Sequence, residues 1–307
     1  RGAWAVVDAF GTVVESAGDI ETPKFARSSL KLMQALPLVE SGAAAAYHYT
    51  PQHLSLACAS HSGAPEHVAA CREMLTNAEL TAEDLRCGAH VPLFRIADTL
   101  AHAHAKTEID RTSNQCSGKH AGFLAVARHE GHSTHDYLAM DHPVQAELRS
   151  LIEGLSGHGF HPHDCNCDGC SAPTYALPIK AFAYAFAKLR TGVDVGAVRA
   201  KSAAALFEAC TEFPWFMAGE GRFDTVLMRT ADGRLFAKTG AEGVYIAALR
   251  DEGLGIAIKC DDGNGRAAEV TVARLAGKHM NHDATKALAR RDIADFNGNV
   301  VGELKAV

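Results

Sequence analysis

The sequence predicts an α+β fold in which helices pack against an antiparallel sheet. Strand-like alternation of apolar and polar residues is confined to the two ends of the chain. The middle is helical in period and rich in alanine, and tight turns separate the late strands. Segregated strands joined by short reversals favour antiparallel pairing, so we expect the N-terminal hairpin to complete the sheet that the late strands form.

The elements follow in chain order from local signals. Residues 4–16 predict a hairpin, with its turn at Phe10-Gly11-Thr12. Helices are predicted near Ser28, at 51–58, 65–75, 119–128, 143–154, 178–190 and 195–212, and a last one at 266–276. Strands are predicted at 222–228, 234–238, 243–249 and 255–259. The loop at 156–173 is long enough to serve a function.

This order predicts one catalytic unit spanning residues 1–307. A sheet subdomain would take about 1–25 and 215–307, and a mainly helical subdomain about 26–214.

Composition excludes several classes of protein. The chain has 307 residues, of which 47% are hydrophobic, so a large core is available and disorder is not expected. Its net charge of −6 and the lack of a dense basic run argue against a nucleic-acid partner. No apolar run reaches the length of a membrane span. The nine cysteines are odd in number, which favours free thiols in a reducing compartment, here the cytoplasm.

Two segments carry the residues expected for serine-based catalysis. Ser28 and Lys31 are spaced i, i+3 at the start of a predicted helix, which would place the amine beside the hydroxyl. Lys238-Thr239-Gly240 lies on a predicted strand and would form a wall of the same pocket. The alternative is a capping serine with two solvated lysines.

Ser60-His61-Ser62-Gly63 is a third candidate segment. It follows a predicted helix, and its small residues could open the floor of a pocket. His61 could act as a general base. The alternative is a helix C-terminal turn closed by Gly63, with His61 exposed.

The cysteines form the most distinctive constellation. Cys165, Cys167 and Cys170 lie in the long loop, and Cys116 lies upstream. Several thiols brought together suit a cation such as Zn²⁺. The spacing is not that of a zinc finger, and a set of buried, inert cysteines is the alternative.

Seven segments, in order along nearly the whole chain, resemble the rhizobial-type L-asparaginases, a family distinct from the bacterial type I and type II and the plant-type enzymes. They are 27–31 (RSSLK), 59–63 (ASHSG), 114–120 (NQCSGKH), 167–173 (CDGCSAP), 221–225 (GRFDT), 238–243 (KTGAEG) and 261–267 (DDGNGRA).

The resemblance implies a fold like that of serine β-lactamases and glutaminases, a homodimer, and hydrolysis of L-asparagine to L-aspartate and ammonia. It implies two serine–lysine tandems, Ser28 with Lys31 and Ser60 with Lys238. It also implies a zinc ion next to the active site, held by Cys116, Lys119 and Cys170, with His120 as a fallback ligand. Residues of the matching segments are expected to bind substrate: Arg27, His61, Gly118, His120, Asp168, Thr239, Gly240 and Glu242.

The expected mechanism is attack by a serine on the side-chain amide, with a neutral lysine as base. Two lysines in one pocket would disfavour each other's charge and lower at least one pKa. We favour Ser28 as the nucleophile, while Ser60 could instead attack or relay a proton between the lysines. Asp168 is expected to hold the substrate ammonium, and zinc to orient the substrate.

Three rival functions stay open. A β-lactamase-like enzyme would share the Ser-x-x-Lys and Lys-Thr-Gly elements, but the cysteine loop is foreign to it. A glutaminase would use the same chemistry on a substrate one methylene longer, which sites discriminate by only about 1–3 kcal/mol. A zinc-stabilised binding domain, in which the serines are helix caps, would release no ammonia.

Overall fold

A computed structural model describes residues 1–106 and 108–306 of the chain. Its strands are β1 (Gly2–Asp8), β2 (Val13–Ala17), β3 (Lys24–Phe25), β4 (Cys165–Cys167), β5 (Pro173–Leu177), β6 (Leu235–Gly240), β7 (Val244–Leu249), β8 (Leu254–Cys260), β9 (Arg290–Ala294) and β10 (Val300–Lys305).

Its α-helices are α1 (Lys31–Gln34), α2 (Leu36–Glu40), α3 (Ala43–Ala46), α4 (Pro51–Ala57), α5 (Pro65–Asn77), α6 (Ile96–Ala105), α7 (Ser117–His129), α8 (Pro143–Ser156), α9 (Ile179–Thr191), α10 (Ala197–Glu212), α11 (Pro214–Met217), α12 (Phe223–Thr230), α13 (Gly265–His279) and α14 (Asp283–Ala287). Short 3₁₀ helices occur at Arg27–Leu30, Ala82–Asp84, Arg111–Ser113 and Pro162–Asp164.

The main sheet has five antiparallel strands in the order β2-β1-β8-β7-β6. In the centre, Ala5 of β1 lies opposite Ala257 of β8. The N-terminal hairpin therefore completes the sheet of the late strands, as the sequence predicted. The predicted α+β class, an antiparallel sheet with packed helices, is confirmed.

Helices pack against the main sheet, and the hydrophobic core lies between the helices and the sheet. Every residue of β7 is buried, which requires cover on both faces of the strand. α9 packs against β1 and β8, and α13 packs against β7 and β8. A Cβ atom at Gly255 would collide with the carbonyl of Ala183, so glycine there permits the close approach of α9 to β8.

Three local predictions are wrong or incomplete. Residues 222–228 do not form a strand, since Phe223–Thr230 folds as α12. The chain near Ser28 begins with the 3₁₀ helix at Arg27–Leu30 rather than with a continuous α-helix. The small sheet of β3, β5 and β4 and the hairpin of β9 and β10 were not predicted.

No finding tests the division into a sheet subdomain and a helical subdomain, which stays a prediction. Within residues 1–106 and 108–306, no helix combines the length and apolar character needed to cross a bilayer.

Candidate active site

Ser60 occupies the centre of the candidate site. It follows α4, whose start is fixed by Thr50, since the Thr50 side chain accepts a hydrogen bond from the backbone N–H of His53 at 3.4 Å. The backbone N–H of Ser60 donates to the carbonyl of Met217 at 3.0 Å, and that of His61 donates to the carbonyl of Gln115 at 3.2 Å. These bonds hold the Ser60 loop between two other parts of the chain.

Two lysine amines converge on the Ser60 hydroxyl. The Nζ atoms of Lys31 and Lys238 each lie 3.0 Å from Ser60 Oγ, and both lysine residues are fully buried. Lys31 also donates to the carbonyl of Ala59 and lies 3.1 Å from Cys116 Sγ. One hydroxyl thus bridges two amines in a site shielded from water.

The expected pairing of Ser28 with Lys31 is not seen as a hydrogen bond among the described residues, and it stays a prediction. Across the described residues, the hydrogen bonds of the Lys31 amine go to Ala59, Ser60 and Cys116, and none goes to Ser28. The Lys31 side chain reaches the residues that follow α4, namely Ala59 and Ser60. The second expected tandem, Ser60 with Lys238, is in direct contact.

The pKa of Lys238 is affected by a buried aspartate, Asp224, and by the groups that contact it. Its Nζ lies 3.8 Å from Asp224 Oδ2, and the Thr239 backbone N–H donates to that same oxygen at 3.1 Å. The Tyr245 hydroxyl donates to Asp224 Oδ1. Burial lowers the pKa of Lys238 to about 7; Asp224 opposes the shift, while Lys31 and Arg222 add to it. Lys238 can therefore carry or lack a proton near neutral pH.

A pocket of about 290 Å³ opens onto the two serines. It is lined by Ser28, Ser60, Leu93, Phe94, Gln115, Arg222, Thr239, Gly240 and Ala241. Ser28 is partly exposed to this pocket, whereas Ser60 is only 3% exposed. A Cβ at Gly240 would lie 2.9 Å from the carbonyl of Ala26, so glycine lets β6 pass close to the turn that carries Ser28.

His61 and Gly118 do not line the pocket. Both make packing or hydrogen-bond contacts beside it. His61 is buried rather than exposed, and its Nδ1 accepts the backbone N–H of Gly63 at 3.1 Å, while Nε2 lies 2.9 Å from Ser117 Oγ. Burial lowers the pKa of His61 well below its usual value, so this histidine is neutral. Gly118 lies against the carbonyl of Leu56, which a Cβ would strike.

Arg27 links two carboxylates at the rim of the site. Its Nε lies 2.8 Å from Asp168 Oδ1, and its Nη1 lies 2.9 Å from Glu242 Oε2. Both Arg27 (φ 53°) and Glu242 (φ 61°) adopt left-handed backbone conformations, which are uncommon for residues other than glycine. Asp168 is largely buried, whereas the Glu242 side chain is 64% exposed.

Cys116, Lys119 and Cys170 form a second buried cluster next to Lys31. Lys119 Nζ lies 3.2 Å from Cys170 Sγ. The Cys116 thiol donates to Cys170, which holds the pKa of Cys170 well below its usual value and raises that of Cys116. Although burial disfavours its charge, the two sulfurs raise the pKa of Lys119.

The donor set of this cluster fits a soft or borderline cation. His120 adds a ring whose Nδ1 lies 2.7 Å from the Tyr137 hydroxyl, while its buried Nε2 has no hydrogen-bond partner among the described residues. Burial lowers the pKa of His120 to about 4, so the ring is neutral and keeps a lone pair. Thiolate sulfur and neutral imidazole nitrogen are ligand types that Zn²⁺ accepts, whereas the Lys119 amine can join them only after it loses its proton.

The other two cysteines of the loop stand apart from this cluster. Cys165 is partly buried and Cys167 is exposed, both on β4. Setting aside Thr107 and Val307, no three His, Cys, Asp or Glu side chains are grouped to hold a metal ion. Any metal at this site would thus depend on Lys119 as well as on the sulfurs.

The sequence argument assigned no role to Arg222, Asp224 or Phe94, although the first two lie in segment 221–225, which carries the resemblance. The first two lie in the segment that was predicted as a strand, and α12 turns both toward the pocket and Lys238. The guanidinium of Arg222 stacks 3.4 Å from the centre of the Phe94 ring. Within that segment the only local pattern is an arginine and an aspartate spaced i, i+2 between a glycine and a threonine. This pattern is too short to assign a role to either residue.

The fold and the pocket together define an α+β protein with a buried serine–lysine site. A family model described as L-asparaginase II matches residues 1–306. The chain belongs to this family, which confirms the resemblance drawn from the seven segments and supports a hydrolase.

Solved structures with a similar fold are distant from this chain. A β-lactamase from Mycobacterium bovis is 14% identical, with 91% of this chain and 94% of that chain covered and a TM-score of 0.44. A structure described as Mglu is 16% identical, with 92% and 67% covered and a TM-score of 0.39. No curated protein matches the chain at a significant level.

Proposed function

We propose that the protein is an L-asparagine amidohydrolase, converting L-asparagine and water into L-aspartate and ammonia. The observation that carries this proposal is the Ser60 hydroxyl held between Lys31 and Lys238, beside Ser28 in a small pocket. Membership of the L-asparaginase II family supports this choice of substrate.

In this proposal Ser28 is the nucleophile and Ser60 relays protons. Ser28 is open to the pocket, whereas Ser60 is enclosed and its oxygen already contacts two amines. A hydroxyl between two amines can accept a proton on one side and donate one on the other. Sequence motifs of the Ser-x-x-Lys and Lys-Thr-Gly type also assign the attack to the first serine.

The reaction has two halves. Ser28 Oγ attacks the side-chain carbonyl carbon of asparagine, and its proton passes to a neutral lysine. The C–N bond then breaks, and the nitrogen leaves as ammonia after it receives that proton through Ser60. Water next attacks the β-aspartyl ester, returns a proton to Ser28 and releases L-aspartate. Lys238 suits the role of base because its pKa of about 7 leaves it uncharged in much of the population.

The substrate ammonium group is assigned to Asp168. Its carboxylate is largely buried and is held by Arg27 at 2.8 Å and by the backbone N–H of Gly169 at 2.9 Å. A carboxylate fixed in this way keeps lone pairs free for a further donor. Thr239 and Gly240 line the pocket.

We propose that a zinc ion binds beside the active site and takes no part in the reaction steps themselves. Cys116, Lys119 and Cys170 would hold it, with His120 as the fallback ligand. When bound, the ion would supply a fixed positive charge beside the pocket that helps to orient the substrate. Lys119 must lose its proton to serve as a ligand, and a nearby cation favours that loss.

Metal content tests this assignment without reference to activity. We expect about one zinc ion per chain by atomic emission spectroscopy, and its loss in Cys170→Ser. Cys165→Ser is the matched control, because Cys165 lies in the same loop outside the cluster, and it should keep the metal. Equal zinc content in both variants would contradict the proposed ligands.

The function itself is tested by ammonia release from L-asparagine and L-glutamine assayed side by side, with nitrocefin as a β-lactam probe. We expect turnover of L-asparagine and its loss, on the order of 10³-fold or more, in both Ser28→Ala and Ser60→Ala. Preference for L-glutamine would favour the glutaminase alternative, and nitrocefin turnover the β-lactamase-like one. Zinc-dependent folding with no ammonia release would favour the non-catalytic binding domain.

Two further expectations rest on the resemblance to rhizobial-type enzymes and on composition. We propose a homodimer, which light scattering on the purified protein tests. We also propose a cytoplasmic location, which suits nine free thiols and which fractionation of the source cells tests.

A further inference from the structure

The pocket is lined by a partly buried cation that the reaction steps above do not use. Arg222 lies at the start of α12 and lines the pocket with Ser28 and Ser60. Its Nη1 donates one long hydrogen bond, 3.5 Å, to the carbonyl of Ser60. A guanidinium has five N–H donors, so most of its hydrogen-bonding capacity is still available.

Arg222 also lacks a close acidic partner. Over residues 1–106 and 108–306, no carboxylate oxygen lies within 4.0 Å of its nitrogens. Asp224 and Glu269 act on it only from a longer distance, and burial lowers its pKa from the ordinary value. An arginine stays charged in proteins even so. A partly buried charge without a close counter-charge is the situation expected of a site built for an anionic ligand.

The other cations of the site are already engaged. Arg27 contacts the carboxylates of Asp168 and Glu242. Lys31 and Lys238 contact Ser60, and Lys119 contacts Cys170. Of the cations that the structure places around the pocket, Arg222 is therefore the one best able to accept a new carboxylate.

Phe94 fixes the orientation of this guanidinium. Its ring centre lies 3.4 Å from the Arg222 Cζ atom, and Phe94 lines the same pocket. A planar guanidinium stacked on an aromatic ring presents its edge, which is the part that binds a carboxylate with two parallel hydrogen bonds.

We propose that Arg222 binds the α-carboxylate of the amino-acid substrate, with Phe94 holding the guanidinium in place. The proposal rests on the amidohydrolase function above and deepens it, since the substrate class becomes α-amino acid amides with a free α-carboxylate. Asp168 and Arg222 would then hold the two charged groups of the zwitterion, and the side-chain amide would face the serines.

The test compares two amides that differ only in the α-carboxylate, L-asparagine and 3-aminopropanamide. For Arg222→Gln we expect kcat/KM for L-asparagine to fall on the order of 100-fold, mainly through KM, because one partner of a shielded charge pair is lost. The value for 3-aminopropanamide should change less than about threefold, since that substrate has no group to lose. Arg222→Lys should recover only part of the loss, because an ammonium cannot make the paired contact.

Arg229→Gln is the matched control. Arg229 lies on the same helix but is exposed and paired with Glu220 at 3.6 Å, and its replacement should leave both substrates unaffected. Circular dichroism checks that every variant is folded. Calorimetric binding of L-aspartate gives a readout that needs no turnover, and its affinity should fall in Arg222→Gln by a similar factor.

The outcomes separate this inference from the function on which it rests. Equal losses for both amides in Arg222→Gln, or no loss for either, would overturn the assignment of Arg222 while the amidohydrolase function stands. Wild-type protein that releases no ammonia from L-asparagine would overturn the function and this inference together. Unchanged affinity for L-aspartate in a folded Arg222→Gln variant would overturn the inference alone.

Discussion

Replacement of Asp224 by asparagine should move the pH dependence of the reaction to lower pH. Asp224 is buried 3.8 Å from Lys238 Nζ and stabilises the charged form of that lysine. Removing its negative charge makes the ammonium less favourable, so the pKa of Lys238 falls below about 7. If Lys238 acts as a neutral base, the rate rises as pH passes upward through this pKa, and the rising limb moves with it.

The size of the shift can be set from the distance. Two unit charges about 4 Å apart interact by about 4 kcal/mol at the effective dielectric constant of about 20 that suits protein sites. Since one pKa unit corresponds to about 1.4 kcal/mol, about three pH units is the upper limit. Relaxation around the new amide reduces this effect, and we expect a shift of about one to two units.

The assay is kcat/KM for L-asparagine between about pH 4 and pH 9, measured by ammonia release, because this parameter reports ionisation in the free enzyme. The matched control is Tyr245→Phe. It removes the hydroxyl that donates to Asp224 and leaves the charge in place. Its rising limb should move by a smaller amount than that of Asp224→Asn.

An unchanged rising limb in Asp224→Asn would refute the reasoning, because it would show that Lys238 does not limit the rate through its proton. A limb that moves to higher pH would contradict the sign of the charge effect.

Two further predictions concern the packing of Gly118 and the two carboxylates that contact Arg27. Gly118→Ala places a Cβ against the carbonyl of Leu56, so α4 and α7 must separate. We expect the free energy of unfolding, measured by urea titration, to fall by about 3 kcal/mol. A change under about 0.5 kcal/mol would contradict this packing. Asp168→Asn should raise KM for L-asparagine on the order of 100-fold, whereas Glu242→Gln should raise it only a few-fold, because the Glu242 side chain is exposed and its pairing with Arg27 is screened. Equal effects in steady-state kinetics would show that both carboxylates act only by holding Arg27.

Sequence alone identified much of the fold because its signals are local. The turn at Phe10-Gly11-Thr12 and the alternating late strands specify the sheet, and their antiparallel pairing follows from the short connections. Segment 222–228 was mistaken for a strand because short apolar runs do not separate helix from strand by period. In the hairpin of β9 and β10, β9 is exposed throughout and β10 is largely exposed, so the hairpin carries little apolar pattern.

The sequence analysis named the serines and lysines of the candidate site, and the expected contact of Ser60 with Lys238 is present. Ser28, Ser60 and Lys31 were named, but the contact of Lys31 with Ser60 was not, since the direction of a long side chain depends on tertiary packing. No role was assigned to Arg222 and Asp224, because their roles arise only when α12 packs beside β6. No local pattern encodes a contact between residues that distant in the chain.

The most direct test is to trap the intermediate. We would mix the protein with L-asparagine, quench in acid within the first turnover, and map peptides by mass spectrometry. The mechanism predicts a β-aspartyl ester on the peptide that contains Ser28, and no adduct on the peptide that contains Ser60. An ester on Ser60, or first-turnover ammonia release with no ester on either serine, would contradict it.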